Sequence, residues 1–185
     1  REERFDDAQR HLWRAVCLSP GKPDPYARLA NVLRRLGRPD QADYWIERLV
    51  TLNPRSPRAH VLRGRYLLDS GQTDEANAHA LAALDLAPDD REALLLGARC
   101  AALLGQDAQA EERAARAVKL YPRSADAYLT HADVAWRAGD RKAALKSMRD
   151  GVKLTVGDHA LLSNLVALLL EAEQVDEAQK LVEAL

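Results

Sequence analysis

The stretch LDSGQTDEANAHALAALDLAP, from Leu68 to Pro88, places a glycine, an alanine five residues later and a closing proline in a fixed order. Followed outward in both directions, the same three residues return every 34 residues. The glycines are Gly37, Gly71, Gly105 and Gly139; the alanines are Ala42, Ala76, Ala110 and Ala144; the prolines are Pro20, Pro54, Pro88 and Pro122. Because a fixed period of this length is typical of arrays of small structural units, the sequence predicts stacked units with a thin shared core.

Two helices are predicted in each period. Apolar residues follow a helical spacing on both sides of Gly71, at Val61, Leu62, Leu67 and Leu68 before it and at Ala76, Ala80, Ala83 and Leu84 after it. The glycine is expected to end the first helix with a positive φ, which a residue with a Cβ resists. Residues able to cap the next helix follow each proline or its equivalent: Ser56, Asp90, Ser124 and Asp158.

The recurring glycine, alanine and proline positions resemble those of the tetratricopeptide repeat family, whose unit is a helix–turn–helix of this length. The resemblance implies an all-α fold, a right-handed α-solenoid superhelix. We expect full repeats at 23–56, 57–90, 91–124 and 125–158, preceded by the second helix of a truncated repeat at 1–22 and followed by an incomplete fifth repeat at 159–185. On this division the chain is expected to be a fragment of a longer protein. There are two kinds of departure. Glu173 occupies the place of the fifth glycine, and the large aromatic residue found at Tyr26 and Tyr128 is replaced by His60, Leu94 and Leu162 in the other repeats.

Composition and charge narrow the function classes. A net charge of −1 and a pI of about 6.6 argue against a nucleic-acid binder. The longest apolar run, from Leu161 to Leu170, is much shorter than the ~20 residues that a membrane-spanning helix needs, so no direct membrane insertion is expected. Cys17 and Cys100 lie too far apart in an array to pair and are expected to be small buried hydrophobes. The compartment is left open between cytoplasm and periplasm.

No catalytic, cofactor-binding or metal-binding residue is predicted. The five histidines stand singly, without a partner at metal-ligand or catalytic spacing. His60 and His131 lie at repeat positions whose side chains pack between helices, and they are interpreted as structural residues. His11 and His79 share one position on second helices and are expected to face outward.

Binding of a protein or peptide is the function that the resemblance implies, with the first helix of each repeat lining a concave groove. The residues expected there are Asn31, Arg34, Arg35, Arg58, Arg65, Arg99, Leu129, Asp133 and Trp136. The groove is expected to be basic in its first half and more acidic and apolar in its second. Because arginine recognises carboxylates through two hydrogen bonds, we hypothesise a peptide whose acidic side chains or C-terminal carboxylate lie near Arg58, Arg65 and Arg99.

Several alternatives stay open at this point. Arg65 and Arg99 could pair with carboxylates of adjacent helices, such as Asp69, Glu92 or Asp133, and Trp136 could pack against the fifth repeat. The array could also be the substrate-recruiting or assembly arm of a larger enzyme, for example a glycosyltransferase, or of an envelope or secretion complex. Self-association through the truncated ends is a further possibility.

Overall fold

The computed structural model describes residues 2–155 and 158–183, with side chains from residue 7 onward. The remaining residues of the predicted terminal repeats, and residues 156–157 of the predicted fourth full repeat, lie outside the described ranges. The described part of the chain is all-helical. Its helices are α1 (Glu2–Leu18), α2 (Pro23–Arg35), α3 (Pro39–Leu52), α4 (Pro57–Asp69), α5 (Thr73–Leu86), α6 (Arg91–Leu103), α7 (Asp107–Leu120), α8 (Ala125–Arg137), α9 (Arg141–Leu154), α10 (His159–Glu171) and α11 (Val175–Glu183). The prediction of an all-α fold with two helices in each period is confirmed.

The turns between paired helices follow the glycine column. Gly37, Gly71, Gly105 and Gly139 all have positive φ, between 70° and 83°. Each closes the preceding helix by donating its N–H to a carbonyl three residues back, as Gly139 does to Trp136 at 3.0 Å. Glu173, at the fifth position of the column, adopts the same left-handed backbone with φ of 61°. The turn geometry is therefore set by the repeat even where glycine is missing.

The N-terminal caps agree with the sequence at three of four positions. The side chains of Ser56, Asp90 and Asp158 accept hydrogen bonds from backbone N–H groups three residues later, at 3.3, 2.8 and 2.9 Å. Ser124 makes no such bond, and its Oγ is buried without a partner. The prediction that Ser124 caps α8 is wrong.

The chain divides into two compact units, Arg1–Leu96 and Gly97–Leu185. The core of the first unit is centred on α2, α3 and α4, with Tyr26, Leu29 and Leu33 almost fully buried. Gly64 of α4 lies so close to α5 that a Cβ there would be 3.1 Å from the carbonyl oxygen of Ala76. Small residues at these helix contacts are therefore required by the packing.

The core of the second unit is centred on α8, α9 and α10, with Met148, Leu161 and Leu169 fully buried. Gly151 of α9 allows the ring of Tyr128 to pack directly on the helix backbone. Cys100 is buried as expected, and burial raises its pKa to about 11. Cys17 in the first unit is exposed, so the prediction that both cysteines are buried is wrong for this residue.

The alanine column confirms its predicted packing role. The alanines at this repeat position are buried from the first turn glycine onward, at 0–2% exposure: Ala42, Ala76, Ala110, Ala144 and Ala178. Ala8, at the same position in α1, is half-buried. A methyl group is the largest side chain that such a contact accepts without forcing the helices apart.

Candidate functional site

An open cleft of about 840 Å³ lies in the first unit. It is formed by α1, by one face of α2 and by the last residue of α4. Its lining residues are Ala8, His11, Leu12, Arg28, Asn31, Val32, Arg34, Arg35 and Asp69. Three of the predicted binding residues, Asn31, Arg34 and Arg35, therefore lie together in one concave feature.

The spacing of residues on α2 explains how the cleft becomes basic. Arg28, Asn31 and Arg35 are three and four residues apart, a spacing that places side chains on one face of a helix. All three are exposed. With Arg34, the cleft has three guanidinium groups against one carboxylate, that of Asp69. The positive charge is thus concentrated on a single helix face.

Arg34 is held in place by an aromatic ring from α4. Its guanidinium carbon lies 5.0 Å from the centre of the Tyr66 ring, within the range of a cation–π contact. Tyr66 is 5% exposed, and its hydroxyl donates a 2.7 Å hydrogen bond to Asp43. Burial, together with this bond to Asp43, raises the pKa of the Tyr66 hydroxyl. The ring is therefore fixed and neutral, which gives Arg34 a rigid support.

Arg58 and Arg65 pair with carboxylates of their own chain. Arg58 donates a 2.7 Å hydrogen bond to Asp24 of α2 and a second bond to Glu92 of α6. Arg65 also donates to Glu92, at 3.3 Å. Asp24, Arg58 and Glu92 occupy the same position in three successive repeats. Asp24, Arg58 and Glu92 thus form an acid–base–acid column along the first unit. Arg65 lies outside this column and makes the internal pairing with Glu92 that the sequence left open.

The predicted residues of the second unit have different surroundings. Leu129 and Trp136 are half-buried against the core of α8, α9 and α10, and the guanidinium of Arg141 lies 5.4 Å from the centre of the Trp136 ring. Asp133 is exposed and accepts a 3.0 Å hydrogen bond from Arg137, four residues later on α8. Arg99 is exposed on α6 and forms no hydrogen bond or ion pair within the described ranges. Trp136 therefore packs against the core of the second unit and stays partly exposed.

Two histidines form a pair that the sequence did not predict. His60 Nδ1 and His79 Nδ1 are 3.1 Å apart, and His60 Nε2 is 3.0 Å from the carbonyl oxygen of Pro54. Since that carbonyl can only accept, the neutral form of His60 carries its proton on Nε2 and accepts a hydrogen bond from His79 Nδ1–H. Burial, with the nearby charges of Arg63 and His60, lowers the pKa of His79 to about 4. The expectation that His79 faces outward is wrong, whereas His11 is exposed and lines the cleft.

The other histidine expected to be structural makes a polar contact. His131 Nε2 lies 2.9 Å from Glu111 Oε1, between α8 and α7. Within residues 2–155 and 158–183, no three histidine, cysteine, aspartate or glutamate side chains converge to hold a metal ion.

Six lining residues of the cleft were not predicted from the sequence as binding residues, and three of them are polar: His11, Arg28 and Asp69. The signal for Arg28 lies in the repeat itself, because Leu62 occupies the same position in the next repeat and packs against the core of the first unit. An arginine where the next repeat has a packing leucine indicates a face kept free for polar contacts. The sequence indicated Asp69 only as a possible ion-pair partner of Arg65 or Arg99.

Two family models, each described as tetratricopeptide repeat, match residues 1–66 and 61–125. A comparison with curated protein sequences finds no significant match. None of the helices within the described ranges is long and apolar enough to cross a lipid bilayer.

Solved structures show the same fold at low sequence identity. A thermophilic tetratricopeptide repeat protein of Thermus thermophilus is 21% identical, with a TM-score of 0.74 over 91% of this chain and 92% of its own. PilW, a type IV pilus biogenesis factor, is 20% identical, with a TM-score of 0.76 over 100% of this chain and 87% of its own. YrrB, a tetratricopeptide repeat protein with an unusual peptide-binding site, is 17% identical, with a TM-score of 0.59 over 93% of this chain and 89% of its own.

Tetratricopeptide repeats are protein–protein interaction scaffolds and are generally non-catalytic. The helix pairs, the turn glycines, the buried alanine column and the two matching family models agree. This chain belongs to the tetratricopeptide repeat family.

Proposed function

We propose that this protein is an interaction scaffold whose first unit binds an acidic or carboxylate-bearing segment of a partner protein in the cleft between α1, α2 and the end of α4. The observation that carries the proposal is the cleft itself, with Arg28, Arg34 and Arg35 facing one carboxylate. Arginine is suited to such a partner because its planar guanidinium donates two parallel hydrogen bonds to a carboxylate.

The existing contacts of each arginine decide where a carboxylate of the partner would bind. Arg58 and Arg65 already bond to Asp24 and Glu92, so an incoming carboxylate would have to displace one of these partners. Arg34, by contrast, rests on a ring and keeps donor groups available to a ligand. We therefore place the principal contact at Arg28 and Arg34 of α2 and a secondary contact at Arg58 and Arg65.

The second unit is proposed as a separate contact surface for the same partner. Arg99 and Asp133 are exposed there, and Leu129 and Trp136 are half-buried beside the core. If Trp136 contributes, its replacement by alanine reduces partner binding more than it reduces the thermal stability. Equal losses in binding and stability would assign Trp136 to packing alone.

The cleft proposal can be tested with fluorescence anisotropy. The probe is a fluorescein-labelled glycine–serine decapeptide that carries two adjacent glutamates. The triple variant Arg28→Glu, Arg34→Glu, Arg35→Glu is expected to weaken binding at least tenfold, because three attractive contacts become repulsive. The charge-matched control is Arg55→Glu, Arg91→Glu, Arg123→Glu, at exposed positions outside the cleft. Equal weakening by both triple variants would reveal a non-specific charge effect and contradict the proposed site.

A second function class remains as an alternative, in which the array is the recruiting or assembly arm of a larger enzyme or of an envelope complex. The shared fold with PilW, a pilus biogenesis factor, is compatible with an assembly role. Capture experiments with the two triple variants also separate these cases. An assembly partner retained by both variants would bind outside the cleft.

A further inference from the structure

We propose that the segment bound in the cleft carries both signs of charge, with an acidic group at the α2 arginines and a lysine or arginine about two residues away at Asp69. The inference rests on the proposed function and specifies the partner's sequence. It makes Asp69 the residue that determines specificity.

Asp69 has an unusual position for a carboxylate. It is the last residue of α4, where the exposed carbonyl groups of a helix give a negative potential that disfavours acidic side chains. The last turn of α4 contains no basic residue that would offset this charge.

The arginines of the cleft leave Asp69 unpaired. Asp69 is exposed and forms no hydrogen bond or ion pair within the described ranges, although Arg34 and Arg35 line the same cleft. Its carboxylate therefore remains available to a cation that enters from outside.

The helix geometry sets the spacing of the two charges on the ligand. Arg34 rests on Tyr66, and Asp69 follows Tyr66 by three residues, which is somewhat less than one turn of α4. Three helical residues rise about 4.5 Å. In an extended peptide adjacent side chains point to opposite faces, so the nearest side chain on the same face as the acidic group is two residues away, roughly 6.6 Å along the chain. A basic residue about two positions from the acidic group can therefore reach Asp69 while the acidic group contacts Arg34.

The same geometry disfavours a uniformly acidic segment. Such a ligand would satisfy the α2 arginines but would place a further carboxylate against Asp69, and like charges at short distance repel. The cleft is therefore expected to select against acidic tracts as well as for acidic residues.

The test compares three fluorescein-labelled decapeptides in one glycine–serine background, each with two adjacent glutamates. In the first the glutamates stand alone; in the second a lysine follows two residues later; in the third a further glutamate takes the place of the lysine. The wild-type protein is expected to bind the lysine peptide about fivefold more tightly than the third peptide. The lysine gains one exposed ion pair with Asp69, whereas the additional glutamate is repelled by it. Asp69→Asn should reduce this ratio to near one, and Asp69→Lys should invert it.

The matched control is Asp85→Asn. Asp85 is also an exposed aspartate near the end of a helix, α5, but lies outside the cleft. This variant should keep the wild-type ratio, and circular dichroism should show the same helix content in all variants.

The outcomes separate this inference from the function on which it rests. Absence of binding by every peptide up to about 1 mM, the range of weak recognition, would contradict the cleft as a binding site. Binding that depends on Arg28, Arg34 and Arg35 but discriminates equally well in the Asp69→Asn protein would overturn the role of Asp69 alone.

Discussion

Replacing Glu173 by glycine should stabilise the C-terminal helix pair. Glu173 has a φ of 61°, and its turn repeats the bonds of the Gly139 turn: Glu173 N–H donates to Leu170 at 3.1 Å, and Gln174 N–H donates to Leu169 at 2.8 Å. The left-handed backbone costs a residue with a Cβ about 1–2 kcal/mol. Glycine lowers the free energy of unfolding by about 0.4–1 kcal/mol, because it increases the conformational entropy of the unfolded chain. The exposed glutamate contributes no buried contact, so the expected net gain is about 1 kcal/mol.

Urea unfolding followed by circular dichroism measures this gain, and hydrogen exchange of the α11 amides locates it, because the terminal units of an array can open separately. Glu171→Gly is the matched control. Glu171 is the exposed last residue of α10, and glycine at a helical position should cost about 0.5–1 kcal/mol. Opposite signs for the two substitutions are expected. A loss of stability in Glu173→Gly similar to that in the control would refute the assignment of backbone strain to this turn.

Three further predictions concern packing, protonation and charge. Gly151→Ala should destabilise the second unit by about 1–2 kcal/mol in urea unfolding, because overpacking outweighs the gain in helix propensity; the new Cβ would lie 2.7 Å from Tyr128 Cγ. The free energy of unfolding should fall by about 1–2 kcal/mol as the pH falls from about 6.5 towards 4, because His79 binds a proton in the unfolded chain that it resists in the folded protein. This value is already reduced for the partial solvent exposure of His79. Arg58→Met should cost about 0.5–1 kcal/mol at low salt, and less in 1 M NaCl, since its two ion pairs are half-exposed and screened by salt.

Each of these predictions has its own control. Gly21→Ala should be close to neutral, because a Cβ at Gly21 meets nothing within 4 Å and its φ lies outside the left-handed region. His79→Gln should flatten the acid dependence, and an unchanged pH profile in that variant would assign the loss to other groups. For Arg58→Met, a cost that does not change with salt would indicate lost packing in place of lost ion pairing.

The repeat made most of the fold predictable from the sequence. A glycine needed for positive φ and an alanine needed for close helix contact are constraints on the backbone, and they return at fixed intervals. The helices and turns could therefore be located from spacing alone. The Ser124 cap was predicted wrongly, because residue type shows that a cap can form without showing that the side chain adopts it.

The candidate site was less predictable, because long side chains have several possible partners. The sequence placed Arg58 at the groove, but its reach allows both a ligand and the carboxylates of neighbouring repeats, and in the structure it bonds to Asp24 and Glu92. His79 shares its repeat position with exposed His11, yet it turns towards His60 of the adjacent helix. Repeat position fixes where a Cα lies, while the local neighbour decides where the side chain points. The binding role of these residues stays a prediction.

The column formed by Asp24, Arg58 and Glu92 has a consequence for the modularity of the array. Repeats that share one backbone geometry could in principle be exchanged, duplicated or deleted without altering the turns. Here the alternating sign of charge gives each of the three repeats a defined neighbour. Deleting the repeat that contains Arg58 would bring Asp24 to face Glu92, two like charges at one position. The column therefore favours this order of the three repeats over arrangements that would place like charges next to each other.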